Sequence, residues 1–318
     1  MGTFEKRDDM RPGGCKLVTV PFLTDAQVSF THYVQGRKRT AAARAREGAA
    51  YAYGGEQRTR LRLGRLRPVV LSLELGLAEF AKSGRALLLQ GAIEVGPTRF
   101  PLVAKATADA AAALGLPVPR TFVSPSIDIR EASVFGDADE PLLVLPAVFV
   151  DHLSAPELQS TLGSDMGRVH NGHAPLLTAL WVLQTAAPTA LRWVAKPATL
   201  LLTSWARGAD ITADRAGLLV SRNFASTAGA LAKRLGGGRR LLADIQAEGA
   251  LQHLDSPEPH ADVGLQAEQW NQWRLRVKAL DLFRRTAFYQ GGAGDSAGAP
   301  GLTLAECNDQ VATLLGAP

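Results

Sequence analysis

Ser154-Ala-Pro-Glu157-Leu-Gln-Ser-Thr-Leu-Gly163-Ser164-Asp165-Met-Gly167-Arg168-Val-His170-Asn-Gly-His173 reads as a helix with an explicit start. Ser154 is placed to cap it. Glu157, three residues on, is placed to return the favour to the Ser154 backbone N–H, which is a capping box. Pro156 falls in the first turn, where a missing N–H costs nothing. Leu158, Leu162 and Val169 mark a buried side. Ser164 and Arg168 are four residues apart and share one face, with Asp165 beside them. That is the spacing of H-E-x-x-H, in which two imidazoles hold zinc and a Glu polarises a water.

The residues around these three resemble the HtpX-like zinc metallopeptidases (peptidase family M forty-eight), whose site helix runs roughly E-L-x-x-V-x-G-H-E-x-G-H-x-x-N-x-H. Glu157, Leu158, Gly163, Gly167, Asn171 and His173 fall in register with it. A second stretch resembles the family's W-x-R-x-x-E-x-x-x-D-R-A-G-L-L, with Trp205, Arg207, Asp214, Arg215, Ala216 and Gly217 in place. The resemblance implies an α+β, mostly α-helical, zincin-like fold with a small sheet before the site helix. It also implies two His ligands, a third ligand from the Glu of the second motif, and a catalytic Glu. This chain has Ser164, Asp165, Arg168 and Asp210 at those four positions.

The substitutions remove the chemistry. A hydroxyl such as that of Ser164 is a poor zinc ligand, and Arg168 is a permanent cation that only donates. Asp165 is one methylene shorter than the Glu it replaces and has no metal-bound water to act on. Zinc, the cofactor expected for the family, therefore loses its ligands, and no cofactor and no catalytic residue are expected. The replacements also fit one another: Arg168 is expected to bridge to Asp210 and Asp214, one turn apart on the second helix, as an organic cation in place of the metal. His170 and His173 lie about 120° and 180° around the helix from Ser164, so they read as caps of its end and not as ligands. Ser164 would need a base within reach, and with only carboxylates and Arg close to it, it is not a nucleophile candidate.

Two further family positions differ. The substrate-holding edge strand usually carries Asn-Ala, and here the corresponding edge is Glu131, Ala132, Ser133 and Val134; such an edge would hold an extended peptide by backbone pairing. A His-Pro pair before the last core helix is replaced by Trp270-Asn271. Scaffold residues stay while site residues change, which points to a pseudopeptidase that binds a protein or peptide. The alternatives are a zinc metalloendopeptidase with an atypical metal set and a membrane-peripheral scaffold.

The rest of the 318 residues bounds these readings. With 46% hydrophobic and 20% charged residues, the chain looks globular. Its organisation is expected as 1–95, a basic helical extension; 96–290, the metallopeptidase-like domain; and 291–318, a linker and closing helix. Arg37 to Arg67 holds ten Lys or Arg against Glu47 and Glu56, a local net of 10 − 2 = +8 against +5 for the whole chain. This belt suits an anionic surface, while the lack of interleaved aromatics argues against nucleic acid. Cys15 and Cys307 stand at opposite ends and read as separate thiols. With no signal-like segment visible, the expected location is cytoplasmic, with peripheral membrane contact as a variant. The charge-free run 174–190 and the apolar 197–206 are expected as buried helices, being short for a span and broken by Pro188. Oligomeric state and the identity of a partner are not readable.

Overall fold

The computed structural model describes residues 49–125, 133–236, 251–258, 265–291 and 301–316. The chain divides into Met1–Arg39 and Thr40–Pro318, and every described residue belongs to the second unit. Glu131, Ala132, Cys15 and the first part of the basic belt lie outside the described residues.

The helices, numbered in chain order, begin with α1 (Gly54–Leu63), α2 (Arg67–Glu79) and α3 (Arg85–Leu88), the last two joined by a π-helical turn at Phe80–Gly84. Strand β1 (Ile93–Glu94) is followed by α4 (Pro101–Ala113), then β2 (Arg120–Ser124), β3 (Val134–Gly136) and β4 (Pro141–Pro146). Next come α5 (Ala147–His152), the site helix α6 (Ala155–His170), α7 (Ala174–Trp181) with a π-turn at Val182–Ala186, α8 (Thr189–Val194) and the long α9 (Lys196–Ser221). The chain continues with α10 (Phe224–Gly236), α11 (Ala267–Arg284), α12 (Ala287–Gly291) and α13 (Leu304–Leu314). The fold is α+β and mostly helical. Residues 49–95, set apart in the sequence reading, pack into the same unit as the site helix.

The sheet has the order β1-β2-β4-β3, with β2 and β4 parallel and both outer strands antiparallel to their neighbours. Both faces are buried. Val134, Leu143 and Leu145 pack towards α4 and α6, whereas Phe122, Phe135, Leu142 and Val144 pack on Phe80, Leu88 and Val182. This two-sided burial explains why 141–146 reads as an unbroken apolar run. Gly136 adopts φ +98°, and a side chain there would strike the Glu140 carbonyl, so the β3–β4 turn requires glycine.

Helices α6 and α9 form the centre, and small residues let them approach. A Cβ on Gly167 would lie 2.3 Å from the Ala216 Cβ, and one on Gly217 would lie 2.3 Å from the Ser164 hydroxyl oxygen. The glycines of both sequence motifs thus serve one contact. The start of α6 is as the residue pattern predicts, with Glu157 accepting from the Ser154 N–H at 2.8 Å. Its end is a Schellman motif: Gly172 is left-handed (φ 65°), His173 N–H bonds Arg168 O at 2.9 Å, and Gly172 N–H bonds Val169 O at 3.1 Å.

The apolar stretches after α6 divide. Leu177, Leu180 and Leu183 are buried as expected. Within 197–206, Ala198, Leu202 and Trp205 are buried but Leu200 and Leu201 are 65% and 42% exposed, which corrects the expectation of a wholly buried second helix; Trp193 and Val194 before it are 70% and 78% exposed. No helix among the described residues is long and apolar enough to cross a membrane.

Candidate functional site: a buried ionic cluster

Helix α6 supplies Asp165 and Arg168, α9 supplies Asp210 and Asp214, and two elements absent from the motif reading, α10 and α11, supply Arg234 and Arg276. All six are buried, none more than 7% exposed. Arg168 donates to Asp210 at 2.5 Å and to Asp165 at 3.3 Å. Arg234 stands 3.7 Å from the same Asp165 oxygen. Arg276 clamps Asp214 with two parallel bonds of 2.7 Å, and its third nitrogen stands 3.6 Å from Asp210. Three guanidiniums and three carboxylates therefore balance in a place closed to water.

The expected bridge from Arg168 thus reaches Asp210 but not Asp214, whose two oxygens are taken by Arg276. The reason is geometric. Asp214 lies one turn further along α9, opposite α11, while Arg168 projects across to the turn that holds Asp210. A fork-to-fork pair is the stronger arrangement for a buried carboxylate, so Arg276 holds Asp214 fully. Ser164 takes no part: its hydroxyl donates back to the Ser160 carbonyl at 3.1 Å and faces Gly217. The cluster leaves two atoms without a hydrogen bond among the described residues, Asp165 Oδ2 and Arg168 Nε. Burial lowers the pKa of Arg234, with Asp165 opposing that shift. The guanidinium nonetheless starts from such a high value that it remains a cation at neutral pH.

A second buried polar group abuts this one. His173, turned inward by the Schellman bend, sits with Nε2 3.4 Å from Glu56 Oε1, and the same oxygen accepts from the Trp205 indole at 2.8 Å. The His173 and Trp205 rings meet edge to face. Burial lowers the His173 pKa, opposed by Glu56, so the ring is neutral at pH 7. Burial raises the Glu56 carboxyl, but the contacts with His173, Arg60 and Trp205 outweigh it and leave the pKa below normal. His173 therefore caps α6 with its backbone only, while His170 meets the Tyr51 hydroxyl at 3.1 Å. Trp270, at the family's His-Pro position, is core: it stacks on Trp273 and its indole donates to the Ser256 carbonyl.

At the strand edge, Ser133 and Val134 are buried, and both backbone groups of Gly136 are engaged by the Thr178 hydroxyl of α7. In its described part, the edge is covered by a helix.

Among curated proteins, the chain is similar to the plastoglobule-localized metallopeptidase 48, chloroplastic, of Arabidopsis thaliana, with 25% identity over 151 residues. The chain is a distant relative of a metallopeptidase. That match covers 46% of this chain and 44% of the Arabidopsis protein, so the chain spans less than half of that relative's length. No family model matches the sequence. No solved structure matches either.

Arg234, Arg276 and Glu56 are the participants that the residue pattern did not announce. Arg276 carried a signal, because a cation three residues after Trp273 and four before Leu280 shares their apolar helix face and calls for a buried counter-charge. Arg234 and Glu56 lie in segments whose charges read equally well as solvated.

Proposed function

We propose that this protein is a pseudopeptidase, a metallopeptidase relative that does not hydrolyse and acts by binding a partner. The observation that carries the reading is the Arg168 guanidinium, wholly buried and held between Asp165 and Asp210 where the resembled family places a metal ligand. The residues present do not fit a zinc ion. Zinc needs deprotonated lone-pair donors around an open position. Here the second ligand position is a cation, the first is a hydroxyl bonded to its own helix, and the two carboxylates already face three guanidiniums. Placing a divalent cation among them adds like-charge repulsion and breaks the existing pairs.

The same residues make sense as a structural device. An empty metal position would leave Asp165 and Asp210 buried with only the longer contacts to Arg234 and Arg276, and Arg168 supplies the nearer compensation from within the site helix. The α6–α9 frame can then persist without a metal, free to serve as a scaffold. Binding through the described part of the strand edge is disfavoured by the Thr178 cover, so a partner surface is best sought elsewhere on the fold. The proposed location is cytoplasmic, with peripheral contact to membranes.

An assay of an unfolded protein substrate, run with and without added zinc and with a chelator, tests the reading. The expected outcome is no cleavage in any condition. Chelator-sensitive cleavage by wild-type protein that persists through repurification would overturn it.

A further inference from the structure

Helix α1 runs antiparallel to α9, and its contacts fix the pairing. Tyr53 N–H bonds the Thr212 hydroxyl, Glu56 meets Trp205, and Leu63 joins Ala198 and Leu202 in one cluster. The C-terminal end of α1 and the turn into α2 therefore lie at the same end of the molecule as α8 and the first turns of α9. This end presents Leu61, Leu66, Trp193, Val194, Leu200 and Leu201 to solvent, each at least 42% exposed. They are next to residues of the buried cluster (Leu63, Val69, Ala195, Ala198, Leu202), so the exposed set is an outer layer over an already complete core.

The charges around this layer have one sign. Residues 57–73 contain five Arg and no acid, and residues 191–209 contain Arg192, Lys196 and Arg207 and no acid. Arg62, Arg65, Arg67, Arg192 and Lys196 are all exposed. Lys196 lies over the Trp193 ring at 5.5 Å. Apolar side chains crowned by Trp and ringed by Lys and Arg match an interface in which hydrocarbon begins just beneath anionic headgroups. We propose that this end of the molecule is a docking face for an anionic lipid surface, with Trp193, Leu200 and Leu201 entering the headgroup boundary and the Arg residues pairing with phosphates.

Two other occupants fit less well. A second copy meeting this face about a two-fold axis would set Arg against Arg. The chain's own residues 37–46 carry five Lys or Arg and no acid, so they share its charge. Exposed Leu and Trp within a ring of one charge sign call for a partner both apolar and negative, and a membrane offers both over any area.

The test is flotation of the full-length protein with phosphatidylcholine vesicles, with and without phosphatidylglycerol, at low and raised salt. The expected result is binding only to the anionic vesicles, weakened by salt. Tryptophan emission should shift to the blue on binding, and the Trp193→Phe variant should lose most of that shift while still floating. Leu200→Ser/Leu201→Ser and Arg62→Glu/Arg65→Glu should each reduce partitioning by about tenfold or more with unchanged melting temperature. Equal binding to neutral vesicles, no binding to anionic ones, or full binding by both double variants would overturn the proposal. So would a dimer that the same variants dissolve in a protein that ignores vesicles.

Discussion

The two halves of α9 invert the usual arrangement of charged and apolar residues. From Gly208 to Leu218 every residue is buried, and that half includes Asp210, Asp214 and Arg215. From Lys196 to Arg207 the outward face is open, and it holds Leu200 and Leu201. Charges stand inside and leucines outside on one continuous helix. The buried half is explained by what it meets: α6 brings Arg168 to Asp210, α11 brings Arg276 to Asp214, and the Tyr51 carbonyl, just before α1, accepts from Arg215, so each buried charge of this half has a polar partner. The open half meets a packed cluster on one side and nothing among the described residues on the other. A single helix thus joins an internally satisfied ionic core to an unsatisfied apolar surface.

The largest effect that can test this contrast is removal of the central cation. Arg168→Met should destabilise the protein by about 3–5 kcal/mol, because Asp165 and Asp210 keep their burial and lose their nearest partner. Thermal or denaturant unfolding measures it, and a loss under about 1 kcal/mol would say that the carboxylates reach water. Next in size is the helix contact. Gly167→Ala places a methyl against Ala216 in a seam with no slack, and should cost about 1–3 kcal/mol by unfolding midpoint.

A smaller effect is set by pH. His173 and Glu56 both have folded pKa values below their unfolded ones, so each contributes stability at high pH that is lost on acidification. For His173 the loss begins as pH falls below about 6.5, and for Glu56 below about 4.5. His173→Gln should flatten the stability profile in the first window and shrink the second, because Glu56 loses the largest of the contacts that hold its pKa down. If the variant and wild type lose stability in parallel in the first window, His173 is not the titrating group. Smallest of all, Leu200→Ser and Leu201→Ser should shift stability by no more than about 0.5 kcal/mol each, since neither side chain completes the core. A clearly larger loss would mean that these side chains complete a core after all.

Much of this was legible before the fold was known, where a residue type has a single physical use. Ser154 and Glu157 announced the site helix, whose capping box is in place. The pairing of Arg168 with Asp210 was expected, together with one to Asp214, because the family resemblance puts Arg168 and Asp210 at neighbouring ligand positions and their charges are opposite. What escaped was determined by chain-distant neighbours. Arg276 won Asp214 because α11 packs there, and nothing in the spacing of Arg168 and Asp214 encodes that competition. Glu56 read as one acid in a basic belt, until α1 turned it towards His173 and Trp205. The apolar stretch 197–206 read as a buried helix because an apolar run does not say whether a second face has anything to pack against.

The most direct test of the central claim is the metal content of wild-type protein equilibrated with excess zinc and then freed of loosely held ion by gel filtration. If Arg168 and its two carboxylates form a closed ionic set, zinc should be at background. Stoichiometric zinc that is lost on replacing Asp165 and Asp210 with Asn would contradict it.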